Sequence, residues 1–250
     1  MKFNNNLKLS GFTLAEVLIT LGIIGVVAAM TIPTLVASAQ KQQYVAQLKK
    51  NYSVLSQVLL QISADNDCYG DLACTNLFKS IDNIGLEIPK YVKVLKMSTP
   101  SQSADFFASS YKTFEGVAET NGDHSLPIVS FSEMSGTGAG SGYRYLLTDG
   151  TAISLNNIAN CTSAADSICG TIQIDLNGAK APNMAGRDAF AFAIMGNATL
   201  YPAGGHKFGD DLSWKGTTEY NCTNPLQVDG TACAHGCAGR IIDEGWQMNY

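Results

Sequence analysis

Near its start the chain carries one long apolar run, and the pattern of polar positions changes abruptly after it. Residues 17–36 contain no charged side chain. A helix of this length spans about 30 Å, which is the thickness of the hydrocarbon core of a bilayer. Because a helix buried inside a soluble protein rarely needs to be apolar on every side, the run predicts a membrane-spanning helix.

Beyond the run, apolar positions recur at the spacing of an amphipathic helix. Steps of three and four residues alternate along one stripe, at Val45, Leu48, Tyr52, Leu55, Leu59 and Ile62. Residues 34–65 contain neither glycine nor proline. We therefore expect one helix from about Phe12 to about Ala64, kinked or loosened at Pro33. The stripe favours packing on a sheet of the same chain, and a short coiled-coil seam is the alternative.

The residues from 65 onward predict a head built on short strands. Two strands flank the hairpin dipeptide Asp149-Gly150, and a third covers residues 170–178. Residues 189–195 alternate, turn at Gly196 and Asn197, and resume up to residue 201. Tight turns make neighbouring strands antiparallel. The expected fold is α+β, with the long helix packed on an antiparallel sheet of about four to five strands.

Two segments of the head predict short helices. Residues 75–95 combine a short helix with a loop, interrupted by Gly85 and Pro89. Residues 237–250 predict a short helix that stops at Gly245, with Trp246 as an anchor.

The seven cysteines all follow the apolar run. The close spacing of Cys68 with Cys74, and of Cys161 with Cys169, is typical of small disulfide-closed loops in an oxidising compartment. Free thiols in a reducing cytosol are the alternative. The disulfide interpretation places the head outside the cytoplasm.

The cysteines near the C-terminus allow more than one arrangement. In one arrangement a disulfide joins Cys222 to Cys237 and Cys233 is unpaired. In the other, a disulfide joins Cys222 to Cys233. A zinc site that includes His235 is the other possibility, but the Cys-x-His-x-Cys spacing is tighter than in the usual zinc motifs. Disulfide bonding is therefore the preferred interpretation, and no metal site is expected.

Charge and motifs exclude several classes of function. The formal net charge of −5 and pI near 5.1 argue against a protein whose main role is to bind nucleic acid. His124, His206 and His235 lie in glycine-rich or polar contexts, and the chain has no Gly-x-Ser-x-Gly motif. We therefore do not expect an enzyme.

An ordinary signal peptide is one interpretation of the N-terminus. Lys2 and Lys8 form a basic leader, and residues 37–39 resemble a cleavage site for the signal peptidase. The apolar run is longer than the usual ~7–15 residues of a signal peptide, and Glu16 at its border is unusual for that class.

The sequence SGFTLAEVLITLGIIGVV, residues 10–27, resembles the N-termini of type IV prepilins and type II secretion pseudopilins. The resemblance implies cleavage by a prepilin peptidase between Gly11 and Phe12, followed by N-methylation of Phe12. Glu16 takes the place of the family's acid, and Pro33 that of its helix proline. Gly22 and Gly25 match the small residues common in that helix.

The resemblance also implies an organisation of the chain. Residues 1–11 form the leader, 12–36 the membrane and filament-core helix, 37–64 its amphipathic continuation and 65–250 the exported, pilin-like head. The chain is then a single-pass protein of the bacterial inner membrane with a cytoplasmic N-terminus. It later enters a periplasmic or extracellular filament.

Glu16 needs an explanation because a carboxylate costs about 2.5–3.5 kcal/mol at the centre of a bilayer. Cleavage creates a positive amine on Phe12, and residues four apart share one face of a helix. The amine of the same chain or of a neighbouring copy is therefore the expected partner, and Glu16 makes sense only after the cut. The alternative is that Glu16 lies in the headgroup layer.

The expected function is that of a filament subunit, assembled with copies of itself and other pilin-like subunits by inner-membrane machinery. A minor pilin that binds a ligand or surface is the second possibility, and a secreted protein with an ordinary signal peptide is the third. Residues 175–186 begin like a calcium loop but lack the closing acid of an EF-hand. Some pseudopilins bind calcium in another loop, for which the candidates are Asp175, Asp188, Asp210 and Asp211.

Overall fold

The computed structural model describes residues 12–116, 118, 131, 134–136, 142–164, 167–203, 222 and 234–250. The contacts between residues divide the chain into two compact units, Met1–Gln42 and Gln43–Tyr250. We call them the first unit and the second unit. The second unit includes most of the amphipathic part of the long helix in addition to the predicted head.

The long helix is confirmed: α1 extends over Leu14–Asp65 and contains Pro33. Among the described residues, α1 is the one helix long and apolar enough to cross a membrane, and none of its most apolar window is buried. In the first unit its apolar side chains are exposed on all sides, as the absence of a polar face predicts.

In the second unit α1 buries the predicted stripe. The buried positions include Val45, Leu48, Leu55, Leu59 and Ile62. Tyr52 is half-buried, and its hydroxyl donates to the carbonyl oxygen of Leu200 at 3.1 Å. The stripe therefore packs on the sheet of its own chain, as its spacing favours.

Within the described residues, the sheet is mostly antiparallel and has eight strands. Their bounds are β1 Val94–Ser98, β2 Lys112–Thr113, β3 Tyr143–Leu147, β4 Ala152–Asn157, β5 Ile168–Asp175, β6 Met184–Ala185, β7 Ala189–Met195 and β8 Leu200–Pro202. The order is β1-β3-β4-β5-β7-β6-β2, with β8 also paired to β7.

The five strands predicted from the sequence correspond to β3, β4, β5, β7 and β8. The prediction missed β1, β2 and β6. β2 and β6 are two residues long and pair in parallel, so they carry no pattern of alternation. β1 shows no alternation of buried and exposed side chains, and its register with β3 shifts between Val94 and Lys96.

The prediction that Gly85 interrupts a helix was wrong. Gly85 lies inside α2, Ile81–Glu87, which is flanked by short 3-10 turns at Leu77–Lys79 and Ile88–Lys90. A Cβ atom at Gly85 would lie 2.2 Å from Cδ2 of Tyr143. Gly85 is therefore required for the close approach of α2 to β3, and the helix ends before Pro89.

Three disulfide bonds join Cys68 to Cys74, Cys161 to Cys169 and Cys222 to Cys237. Cys233 lies outside the described residues. The last bond holds the start of α3, Cys237–Asp243.

The chain after α3 turns at Gly245, whose φ of +73° favours glycine. Trp246 then contacts the ring of Tyr52 edge-on, with 5.7 Å between ring centroids. The C-terminal segment is thereby anchored on α1, as the sequence predicts.

Candidate functional site

The first turn of α1 forms a capping box between Thr13 and Glu16. The backbone nitrogen and the hydroxyl of Thr13 both donate to Oε2 of Glu16, each at 2.8 Å. In return, the backbone nitrogen of Glu16 donates to the Thr13 hydroxyl at 3.2 Å. Such a reciprocal arrangement satisfies backbone donors that the first turn of a helix otherwise leaves free.

The capping box corrects one part of the sequence interpretation. Glu16 already has hydrogen-bond donors within its own helix while the leader is attached, so its presence does not depend only on cleavage. The Thr-x-x-Glu pattern before an apolar run is a known signature of a helix start and was present in the sequence. Both bonds from Thr13 end on Oε2, so the second oxygen, Oε1, can accept from another donor.

Phe12 lies directly before this box and is 88% exposed. Phe12, Glu16, Val17 and Thr20 line one surface depression of the first unit. Gly11 lies outside the described residues. The described side of the predicted cleavage site is thus exposed and adjacent to the carboxylate.

A second depression on the same helix is lined by Ile19, Gly22, Ile23, Val26 and Val27. A Cβ atom at Gly22 would have no described atom within 4 Å, and the same holds for Gly25. Packing within the chain therefore gives no reason for glycine at these positions. Small residues on an exposed apolar helix permit close approach of another helix.

Two of the acids named as calcium candidates, Asp175 and Asp188, are buried in the second unit. Asp175 closes β5, accepts from the hydroxyl of Tyr111, and accepts from the backbone nitrogen of Asn177 at 3.1 Å. Burial raises the pKa of Asp175 to about 8. Asp188 accepts from the backbone nitrogens of Asn183 and Met184, at 3.0 and 2.6 Å.

Burial also raises the pKa of Asp188, whose charge contributes to the raised pKa of Asp175. The two carboxyl groups thus organise the loop between β5 and β7. In the part of the chain that the structure describes, no group of three or more His, Cys, Asp or Glu side chains is placed to hold a metal ion. Asp210 and Asp211 lie outside the described residues, and calcium binding stays a prediction.

Of the histidines, His124 and His206 lie outside the described residues. His235 is buried, and its ring meets the ring of Phe131 edge-on at 5.1 Å between centroids. This placement is typical of a core aromatic residue. It offers no exposed general base for catalysis.

A family model described as the prokaryotic N-terminal methylation motif matches residues 8–32. The match includes Gly11, Phe12 and Glu16, and ends directly before Pro33. The chain therefore carries the prepilin-type cleavage and methylation signature. No curated protein and no solved structure matches the chain. The signature and the exposed apolar helix fit a protein anchored in the inner membrane.

Proposed function

We propose that this chain is a structural subunit, a pilin or pseudopilin, of a type IV pilus-like or type II secretion filament. The observation that supports the proposal best is the methylation motif at residues 8–32, which coincides with the start of an exposed apolar helix. A helix with no polar face requires lipid before assembly and other apolar helices afterwards. The motif's family is structural rather than catalytic.

A prepilin peptidase removes residues 1–11 and Phe12 is then N-methylated. Inner-membrane assembly machinery transfers the subunit from lipid into a periplasmic or extracellular filament, beside copies of itself and other pilin-like subunits. Loss of Lys2 and Lys8 with the leader lowers the formal charge from −5 by two further units, which disfavours nucleic acid as a partner.

In the filament, the carboxylate of Glu16 forms an ion pair with the positively charged amine of a Phe12. The capping box supports this role because it orients the carboxylate and occupies one oxygen. An ion pair between copies stabilises one axial register in an otherwise apolar core, since an unpaired charge there is costly. Gly22 and Gly25 allow the helices of neighbouring copies to approach.

The N-terminus of the mature protein tests this proposal directly. Mass spectrometry of the membrane fraction should find the chain beginning with methylated Phe12. A chain that begins at Gln40 would show cleavage after Ala39 by the ordinary signal peptidase, and the filament proposal would be abandoned. A Gly11→Val variant is the control, because it should leave the full-length precursor uncut.

A second candidate function is a minor, ligand-binding subunit. It is favoured by Tyr69, an aromatic side chain that is 79% exposed on a disulfide-closed loop of the second unit. Loss of the protein distinguishes these functions: a major subunit is needed for any filament, whereas a minor binding subunit is needed for adhesion by filaments that still form.

A further inference from the structure

Three loops of the second unit converge on Gly196. One is closed by the Cys68–Cys74 bond, one by the Cys161–Cys169 bond, and the third joins β7 to β8. The backbone nitrogen of Gly196 donates to the carbonyl of Ser167, and its carbonyl accepts from the nitrogen of Leu72, both at 2.8 Å. We call residues 66–76, 160–164, 167 and 196–199 the loop platform.

Gly196 is required at this junction because the loops lie so close. A Cβ atom there would lie 2.2 Å from the carbonyl oxygen of Thr162 and 2.9 Å from that of Ala164. These are backbone atoms, which cannot move aside as a flexible side chain could. The junction therefore connects both disulfide loops through one residue.

Further bonds fix the first loop. Asp71 accepts from the backbone nitrogen of Cys74 at 3.1 Å, and the hydrogen bond with the Ser163 side chain lowers the pKa of Asp71. The nitrogen of Gly70 donates to the Ser63 hydroxyl at 3.0 Å, and Leu72 is fully buried. A loop held in this way loses little conformational entropy when it binds a partner.

The exposed side chains of the platform include one aromatic ring, several amides and hydroxyls, and the carboxylate of Asp67. Tyr69 is 79% exposed. The other exposed polar side chains are those of Asn66, Asp67, Asn76, Asn160, Thr162, Ser163 and Thr199. Tyrosine with asparagine, serine and threonine on fixed loops is the composition of binding surfaces that use rigid aromatic contacts and adaptable hydrogen bonds.

The charge of the platform selects among possible partners. Its residues include the acids Asp67 and Asp71 but no lysine or arginine. Nucleic acids and anionic polymers are therefore repelled. A single exposed ring is a small apolar area for a protein or a lipid surface. Amides and hydroxyls on the same converging loops as one exposed ring suit a ligand with many hydroxyl groups and one apolar face, which describes a sugar.

We propose that the loop platform binds an uncharged polysaccharide, with the Tyr69 ring stacked on a sugar face and amides and hydroxyls of the platform bonded to the hydroxyl groups of the sugar. The proposal rests on the proposed export of the second unit and deepens the second candidate function.

The test uses the full chain purified in detergent and four insoluble probes: cellulose, chitin, starch and an anionic control, pectate. We expect saturable binding to at least one uncharged polysaccharide and none to pectate. Tyr69→Ala should weaken that binding at least tenfold, whereas Tyr69→Phe should retain most of it because the ring remains. Leu95→Ala, which changes an exposed apolar side chain on β1, is the matched control and should bind normally.

The proposal is overturned if none of the uncharged probes is bound, or if Tyr69→Ala binds as the unchanged chain does. Equal thermal unfolding of the variants establishes that a loss of binding is not a loss of fold. Filament assembly is measured separately with the same variants. A chain that binds polysaccharide but forms no filaments contradicts the filament proposal alone, and a chain that assembles without binding contradicts only the polysaccharide site.

Discussion

At the scale of single residues, the carboxylate of Glu16 serves two requirements of the same helix. Its Oε2 accepts hydrogen bonds from two donors of Thr13 at the start of α1, and its Oε1 can still pair with a positively charged amine. An N-cap with its partner contributes about 0.5–2 kcal/mol to the start of a helix. The cap explains how a carboxylate is tolerated at the border of an apolar run before any neighbouring copy is present.

Variants of Glu16 separate the cap from the charge. Glu16→Gln keeps an oxygen that accepts from Thr13 but cannot neutralise an amine, whereas Glu16→Val loses both. We expect the filament yield in sheared fractions to fall at least tenfold in both variants. A tenfold change in an equilibrium constant corresponds to about 1.4 kcal/mol. Thr13→Val is the control that keeps the charge, and it should assemble. Normal yield from Glu16→Gln would show that the cap, not the ion pair, is what assembly needs.

The raised pKa of Asp175 predicts that stability depends on pH in the direction opposite to that of an ordinary surface carboxylate. Its pKa is raised from 3.8 to about 8, mainly by burial, with Asp188 contributing. Between these values the folded state binds more protons than the unfolded state, so stability is highest at acidic pH and falls as the pH rises to about 8. Over this pH range the free energy of unfolding falls by on the order of a few kcal/mol.

Thermal unfolding of the full chain in detergent at pH 5 and pH 8 measures this effect. Asp175→Asn should reduce the difference between the two unfolding temperatures, because asparagine can accept from Tyr111 without titrating. Asp149→Asn is a suitable control, since hydrogen bonds from Lys50 and Thr151 lower the pKa of Asp149. An unchanged difference in Asp175→Asn would mean that Asp175 is ionised in the folded protein.

At the scale of elements, Arg144 joins β3 to two segments that have no regular structure. It is fully buried, and its guanidinium donates to the carbonyl oxygens of Thr99 at 2.8 Å and Met134 at 2.9 Å. It also donates to the carbonyls of Gln102 and Gly136. One side chain thus donates hydrogen bonds to backbone carbonyl oxygens of both segments. Within the sheet, neighbouring strands provide such bonds.

Replacing Arg144 should be strongly destabilising. Arg144→Met fills a similar volume but donates no hydrogen bond, and each buried carbonyl left unsatisfied costs about 1–3 kcal/mol. We expect the unfolding temperature to fall by many degrees. Lys96→Ala is the control on the adjacent strand: its ion pair with Asp105 is largely exposed and contributes at most about 1 kcal/mol. Similar unfolding temperatures for the two variants would contradict the role assigned to Arg144.

Sequence patterns identified the elements whose signals are local. The stripe on α1 and the hairpin at Asp149-Gly150 repeat over adjacent positions, so their periodicity is visible in the chain itself. Gly85 was misjudged because its place inside α2 depends on Tyr143, a neighbour distant in sequence, whereas the turn at Gly196 was predicted but its close contact with Thr162 was not. The same reason hid the buried role of Arg144. The capping box was a local signal that the sequence contained and that was overlooked.

At the scale of the whole molecule, assembly and recognition use separate parts of the chain. Between residues 12 and 40, Glu16 is the only charged side chain. The described cysteines and the loop platform lie in the second unit. A substitution at Glu16 should therefore leave polysaccharide binding unchanged, and a substitution at Tyr69 should leave assembly unchanged. Additivity is expected because the two positions lie in different compact units.

The disulfide bonds test the exported location of the second unit. Three bonds account for six of the seven cysteines and leave Cys233. Because disulfides persist in oxidising compartments, the chain isolated from its membrane should be lighter than the reduced chain by two hydrogens for each bond. Alkylation without reductant should add one group. Cys233→Ser should add none, and Cys68→Ser should add two because Cys74 is released. Seven added groups on the unchanged chain would place the second unit in the reducing cytosol, where neither a filament subunit nor a polysaccharide-binding surface could act.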